Sequence, residues 1–272
     1  MTHLTANVER FTGSGYVNTY DKYRPQPPTI LIDILTQLAQ IERPRLVVDL
    51  GSGTGLSTRI WAERADAVIG IEPNADMRRI AEEQAEAMPN AKHVRYKEGY
   101  SHKTDLVDAC ADIVTCSQSL HWMEPESTFA EIARILRAEG VFAAIDCDWP
   151  PTMNWQAEDA YRRFDEEREK FGEAHGFYRD VKQWDKKGHL ARMQASGKFR
   201  YVKEIVVHQR ELGNAERLVG LLMSQAGLST LLKNGMSAEE LGLPEFRALA
   251  QRTLGDEMSP WYFHYRVRLG VK

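Results

Sequence analysis

Between Leu46 and Asp146, short β-branched runs alternate with longer stretches whose apolar positions recur every three or four residues. The runs are Leu46–Leu50, Ala67–Glu72, His93–Glu98, Asp112–Ser117 and Gly140–Asp146. Between the second and third, Met77, Ile80, Ala81, Gln84, Ala85 and Met88 share one helical face, and Phe129, Ile132, Ala133 and Leu136 repeat the pattern before the fifth. Such alternation predicts βαβ units around a parallel sheet, a doubly wound α/β core.

The flanks follow other periods. Ile30, Leu31, Ile34, Leu35 and Leu38 make an amphipathic helix behind the aromatic stretch Gly15–Pro25. Downstream, Ala157–Ala174 reads as a charged helix with Tyr161, Phe164 and Phe171 on its buried edge, and Arg200–Gln209 as a sixth strand. Leu218–Leu232 is an apolar helical stretch, Ser237 and Glu240 form a capping box, and Pro244 opens a helix that ends at Gly255. Trp261, Phe263, Tyr265, Val267, Leu269 and Val271 alternate as one apolar face of a last strand, leaving Tyr262, His264, Arg266 and Arg268 on a half-exposed face. If the sixth and seventh strands pair, Leu212–Gly255 is an excursion of lid size.

Composition narrows the classes. With 272 residues, 43% hydrophobic and 27% charged, the chain is an ordinary globular protein of one large, embellished domain. A net charge of -4, from 35 basic and 39 acidic residues without a basic run, argues against a nucleic-acid partner. No stretch reaches membrane-span length and the first residues lack a signal peptide's apolar region, so a cytoplasmic location without membrane attachment is expected. The three cysteines form no CxxC pair and the eight histidines no HExxH pair. No disulfide framework and no metal are expected.

The first predicted strand runs into Gly51, Ser52, Gly53, Thr54 and Gly55. In a doubly wound sheet this is where a ligand sits, and glycines allow a tight turn and close approach. A helix starting near Thr54 would offer free N–H groups. The dinucleotide fingerprint requires a glycine where Leu56 stands, and no GK[ST] follows for a phosphate loop. Asp49, two residues before the first glycine, would repel a pyrophosphate but accept hydrogen bonds from a cationic ammonium. Glu72, at the end of the second run, stands where an acidic residue takes ribose hydroxyls. Ammonium plus ribose describes S-adenosylmethionine better than NAD.

The segments "VVDLGSGTG", "VIGIEPNADM", "YKEGYS", "DIVTCSQSLHWME" and "EIARILRAEGVFAAID" resemble the class I S-adenosylmethionine-dependent methyltransferases. Within them they are similar to the small-molecule group that includes trans-aconitate and ubiquinone-pathway methyltransferases. The resemblance implies a seven-stranded, mostly parallel, Rossmann-like sheet with an antiparallel last strand and a helical cap. The expected division is a cap over residues 1–40 and a methyltransferase domain over 41–272 with a lid insertion at about 212–255. It also implies that Asp49, Gly51, Ser52, Gly53 and Gly55 hold the methionine end, Glu72 the ribose, and Pro73 and Met77 the adenine. Gly99, Tyr100 and Ser101 would lie along the adenine edge, Ser117 and Gln118 beside the sulfonium, and Tyr20 and Arg24 near the cofactor carboxylate. S-adenosylhomocysteine would be the product.

Methyl transfer from a sulfonium is an in-line displacement, and a base is needed only for an acceptor that keeps its proton. His121, after the fourth strand, is either that base or part of a packed pocket wall with Trp122. Asp146, Asp148 and Trp149, after the fifth strand, read as acceptor-pocket groups or as turn and packing residues. Tyr16, Tyr20 and Tyr23 line an acceptor pocket or glue the cap, and Arg24 pairs a carboxylate of donor or acceptor. The expected function is methyl transfer to a small-molecule acceptor at oxygen, carboxylate or hydroxyl. Sulfur, nitrogen or carbon acceptors, a non-catalytic cofactor-binding module and an NAD-dependent oxidoreductase are the alternatives. No oligomeric state follows.

Overall fold

The computed structural model describes residues 3–272; Met1 and Thr2, which open the expected cap, lie outside the described residues. Helices α1 (His3–Glu9), α2 (Ser14–Tyr23) and α3 (Ile30–Leu38) precede β1 (Val47–Leu50). The alternating core continues with β2 (Val68–Ile71), α4 (Ala75–Glu86), β3 (Val94–Lys97), β4 (Ala111–Ser117), α5 (Pro125–Ile135) and β5 (Leu136–Cys147). After these come α6 (Trp155–Ala174), α7 (His189–Ala195), β6 (Tyr201–Gly213), α8 (Ala215–Met223), α9 (Ala226–Lys233), α10 (Leu243–Leu254) and β7 (Ser259–Val271).

The strands form one sheet in the order β3-β2-β1-β4-β5-β7-β6. Strands β1 to β5 pair in parallel, and β7 runs antiparallel to β5. This is the expected doubly wound, mostly parallel sheet. Its order reverses between β1 and β4, which opens a crevice at the carboxyl ends of those strands. By compactness the chain divides into two units, one of residues 25–147, 183–207 and 265–272, the other of residues up to Arg24 with 148–182 and 208–264.

In the first unit, Val48, Leu50, Val114, Cys116, Phe142 and Ala144 are buried against Phe129, Ile132 and Ile135 of α5. Phe129, Phe142 and Phe199 meet with ring centroids 5.6–6.1 Å apart. Each such ring contributes about 2–3 kcal/mol by leaving water. Local signals position the helices. Asn74 caps α4 by accepting from the Met77 N–H, and Glu124 caps α5 ahead of Pro125. Strand β5 starts at Leu136, before the expected Gly140, because Leu136 bridges Ala111 of β4 directly after α5.

On β7 the odd-numbered residues Trp261, Phe263, Tyr265, Val267 and Leu269 are all buried, as the alternation predicts. The opposite face departs from expectation. Arg268 is 3% exposed rather than half-exposed, and an added Cβ on Gly270 would press on Phe199 and Met193. The segment carrying α7, invisible to the periodicity, covers that part of the strand.

The second unit is built from helices around α6, α8 and α10. Tyr161 and Phe164 of α6 meet Phe246 of α10, and Tyr23 of α2 lies against Gly220 of α8. The apolar stretch read as one helix breaks between α8 and α9 at Ser224–Gln225. The Ser224 carbonyl, which a continuing helix would use internally, accepts instead from the Tyr16 hydroxyl and the Arg24 guanidinium. The Ser237–Glu240 capping box forms reciprocally but heads only a turn.

Candidate functional site

Strand β1 delivers Asp49 and the glycine turn to the crevice beside β4. Gly51, Gly53 and Gly55 all have left-handed φ, at 65°, 56° and 81°. A Cβ on Gly51 would come within 2.7 Å of the Ser119 Cβ, and one on Gly55 within 2.2 Å of the Tyr96 hydroxyl oxygen. At Gly53 nothing lies within 4 Å of the added atom, so that side of the turn is open. A ligand can approach the backbone from that side.

The turn's donors point inward. The Gly51 and Ser52 N–H groups donate to the Ile71 carbonyl, Gly53 to Glu72 Oε2 at 2.9 Å, and Gly55 to the Ser52 carbonyl. The expected α-helix after the turn does not form; turns lead into a 3₁₀ segment, Arg59–Trp61. The Arg59 guanidinium donates to the Thr54 carbonyl and competes with the ladder of a regular first turn. A helix N-terminus for binding phosphate is therefore missing at this place.

Asp49 is fully buried and accepts from the Ser57, Thr58 and Thr115 hydroxyls at 2.5, 2.7 and 2.8 Å. Burial pushes its carboxyl up, and the three hydroxyls pull it back only in part. Asp49 thus clamps the turn to β4 through hydroxyls that the spacing does not single out. The signal was available, because a carboxylate inside an apolar strand needs donors nearby. Glu72 is buried and takes the Gly53 N–H on one oxygen and the Asn74 N–H on the other. Each oxygen keeps a lone pair for a further donor. Burial raises its carboxyl too.

Around these two, Pro73 is half-buried and Met77 buried at the start of α4. After β3, Gly99 packs near Ile71, Tyr100 rests against His102, and Ser101 shares a 2.8 Å hydrogen bond with Thr128. Ser52 Oγ and Thr54 Oγ1 are buried without a hydrogen-bond partner among the described residues. Orphaned hydroxyls inside a turn with one open side suit a polar ligand that completes them.

At the ends of β4 and β5, Ser117 is half-buried and Gln118 adopts φ 55°, a conformation rare for a residue with a Cβ. His121 is 9% exposed in a 3₁₀ turn, with its ring 4.8 Å from that of the half-buried Trp122. Asp146 is not a turn residue: it lies within β5, 2.8 Å from the Arg268 guanidinium and 3.1 Å from Lys186 Nζ. Trp149 belongs to the second unit, as do Tyr16, Tyr20, Tyr23 and Arg24. There Arg24 bonds Ser224 and Gln225 and stacks over Tyr20 and Trp149, while Tyr23 donates to Glu216 at 2.6 Å.

His121, Asp146 and His189 bring potential ligand atoms within 4.8 Å of one another, a grouping that the sequence does not reveal. His189 Nδ1 faces the Arg192 guanidinium at 2.8 Å, so it must accept, and the ring's proton then resides on Nε2. A protonated nitrogen cannot bind a cation, and Lys186 and Arg268 already flank Asp146. The trio is unsuited to a metal ion.

Comparison with known proteins points to a methyltransferase domain. Residues 48–144 match the family model described as a methyltransferase domain. CRG1 of Saccharomyces cerevisiae, whose name calls it a probable S-adenosylmethionine-dependent methyltransferase, is 30% identical over 125 residues, 46% of this chain and 43% of that one. An uncharacterized methyltransferase of Mycobacterium bovis is 32% identical over 124 residues, 46% of this chain and 47% of its own. The match thus spans about half the length of these relatives. The crystal structure of the YcgJ protein of Bacillus subtilis shares the fold, with TM-score 0.54 and 15% identity over 89% of this chain and 97% of that chain.

Proposed function

We propose that residues 48–144, which match a methyltransferase-domain family model, form a domain of the class I, S-adenosylmethionine-dependent type, and that the protein transfers a methyl group from that cofactor to a small-molecule acceptor at oxygen. The observation that carries the reading is the glycine turn. Its amides are spent on Ile71, Glu72 and Ser52, and two buried carboxylates stand behind it. A pyrophosphate would find these amides already taken and an unfavourable field there. A cationic ligand with a ribose meets acceptors instead.

In this reading Asp49 acts through Ser57, Thr58 and Thr115, which hold the turn in the shape that leaves Gly53 open. Glu72 binds the ribose hydroxyls, Pro73 and Met77 border the adenine, and Gly99, Tyr100 and Ser101 follow its edge. Ser117 and Gln118 lie by the sulfonium, and His121 is the base for any acceptor that keeps its proton. The bound cofactor supplies an electrophilic methyl; the protein aligns the acceptor and excludes water. Fold alone does not choose the acceptor, so the small molecule and the oxygen target rest on the absence of a basic stripe in the sequence and on the chemistry at β4 and β5. Among the described residues no helix is long and apolar enough to cross a membrane. Cys110 and Cys116 are free thiols, which suits a reducing compartment, the cytoplasm.

Calorimetric titration with S-adenosylmethionine and S-adenosylhomocysteine, with NADH as control, tests the donor site. Micromolar binding of both sulfur ligands, weakened at least about tenfold in Glu72→Ala by loss of charge-assisted hydrogen bonds, is expected. Binding of NADH alone would overturn the reading.

A further inference from the structure

The carboxyl ends of β4 and β5 hold a cluster of hydrogen-bond donors that the fold itself does not satisfy. His189 is 1% exposed, and its Nε2–H has no partner among the described residues; Asp146 Oδ2 is 3.9 Å away, beyond hydrogen-bond range. Gln118 turns its Oε1 to Lys186 Nζ at 2.8 Å, which leaves its Nε2 buried and unpartnered. Lys186, one-third exposed, also stands 3.1 Å from Asp146 Oδ1. The left-handed backbone of Gln118 aims its amide here at a cost of about 1–3 kcal/mol, a strain that functional sites keep.

The neighbours lock these donors in place. Arg192 holds His189 Nδ1 and so fixes the Nε2–H form. Burial, together with Arg192, Arg268 and Lys186, lowers the His189 imidazole to about 4 against the pull of Asp146, so the ring is a neutral donor at pH 7. Arg268 ties Asp146 to Glu204, with Nη1 2.8 Å from one carboxylate and Nε 2.7 Å from the other. Asp146 therefore keeps its oxygens on cations, and His189 has no lone pair facing the cleft.

We propose that Lys186, His189 Nε2 and Gln118 Nε2 form a binding subsite for a carboxylate of the acceptor. These three groups only donate, so they favour an anion; a hydroxyl acceptor would have to give its proton to His121, whose ring belongs to the same cluster. A carboxylate arrives deprotonated and suits them as a bound anion, held by one cation and two N–H donors while its free oxygen faces the methyl. One carboxylate oxygen then displaces the thioether from the sulfonium methyl. A C–O bond forms, the C–S bond breaks with its electron pair going to sulfur, and the two charges cancel in a methyl ester with no proton moved.

This subsite rests on the methyltransferase reading, and the experiment separates the two. Full-length protein saturated with S-adenosylhomocysteine is titrated with acetate, and with acetamide as the neutral isostere. The signals followed are the ¹H–¹⁵N resonances of the His189 ring and the Gln118 side-chain amide. Acetate is expected to shift both saturably and acetamide neither. Lys186→Met should weaken acetate at least about tenfold, the loss of one charge-assisted hydrogen bond, and Lys186→Arg should retain most of the affinity. Lys186 is partly exposed, so neither variant threatens the fold. Signals unmoved by acetate, equal shifts with acetamide, or undiminished binding in Lys186→Met would each overturn the subsite. Failure of S-adenosylhomocysteine to bind in the same samples would instead strike the methyltransferase reading.

Discussion

Gly55 is the position where one methyl group tests the most of this structure. In Gly55→Ala the new Cβ would stand 2.2 Å from the Tyr96 hydroxyl oxygen, 2.9 Å from its Cζ and 3.2 Å from Arg59 Nη1. The Tyr96 ring lies against Gly70, where an added Cβ would be 2.5 Å from Cδ1, so the ring is fitted to glycines on both β2 and the turn. At φ 81° an alanine costs about 1–2 kcal/mol from its backbone alone. Overpacking adds about 1–3 kcal/mol, for a total of about 2–5 kcal/mol. The Tyr96 hydroxyl is buried beside Thr58 and Arg59, with at most weak hydrogen bonds to them, so Tyr96→Phe alone should cost about 1 kcal/mol. That substitution removes the 2.2 Å overlap and leaves the 2.9 Å one. In the double variant about 1–2 kcal/mol should return, because contacting residues couple by amounts of that order. Urea unfolding of the four proteins of this cycle, with S-adenosylhomocysteine calorimetry on each, measures both effects. Gly55→Ala as stable as wild type, or a cycle without coupling, would refute the claim that Tyr96 packs on the turn.

Three further outcomes follow from the ion network and the crevice. Arg268→Met leaves the buried Asp146 with Lys186 as its remaining cation and takes from the exposed Glu204 its 2.7 Å partner; it should cost at most about 3–5 kcal/mol by urea unfolding, with partial recovery when Asp146→Asn is added. His189 titrates near 4 when folded and at 6.5 when unfolded, so the unfolded state binds more protons between these values and stability falls as pH drops through that window. The loss is bounded at about 3 kcal/mol, and His189→Gln should flatten that part of the pH–stability curve. If the acceptor is a carboxylate, His121→Asn should lower kcat less than about tenfold, well short of the loss typical for a general base, and leave the pH profile of kcat unchanged.

The sequence carried the alternating core and the turn. Strands such as Val47–Leu50 are apolar because both faces are covered, and Gly51, Gly53 and Gly55 stand where positive φ is required, so both leave a mark in local pattern. The odd-numbered face of β7 was legible for the same reason, a period of two against a buried layer. Tertiary structure decided what each polar group meets. Asp49 could be read as acidic and near a ligand, but its three hydroxyls come from the segment after the turn and from β4, 66 positions away. Asp146 and Arg268 are 122 positions apart and find each other only because β7 inserts antiparallel beside β5. His189 and Lys186 lie in a stretch without periodicity, and its place beside β4 and β5 is set by packing of Met193 and Phe199 against the sheet. Backbone geometry and burial repeat at short range and so appear in the sequence; electrostatic partnership depends on which distant segments share a strand end, and only the folded chain determines that.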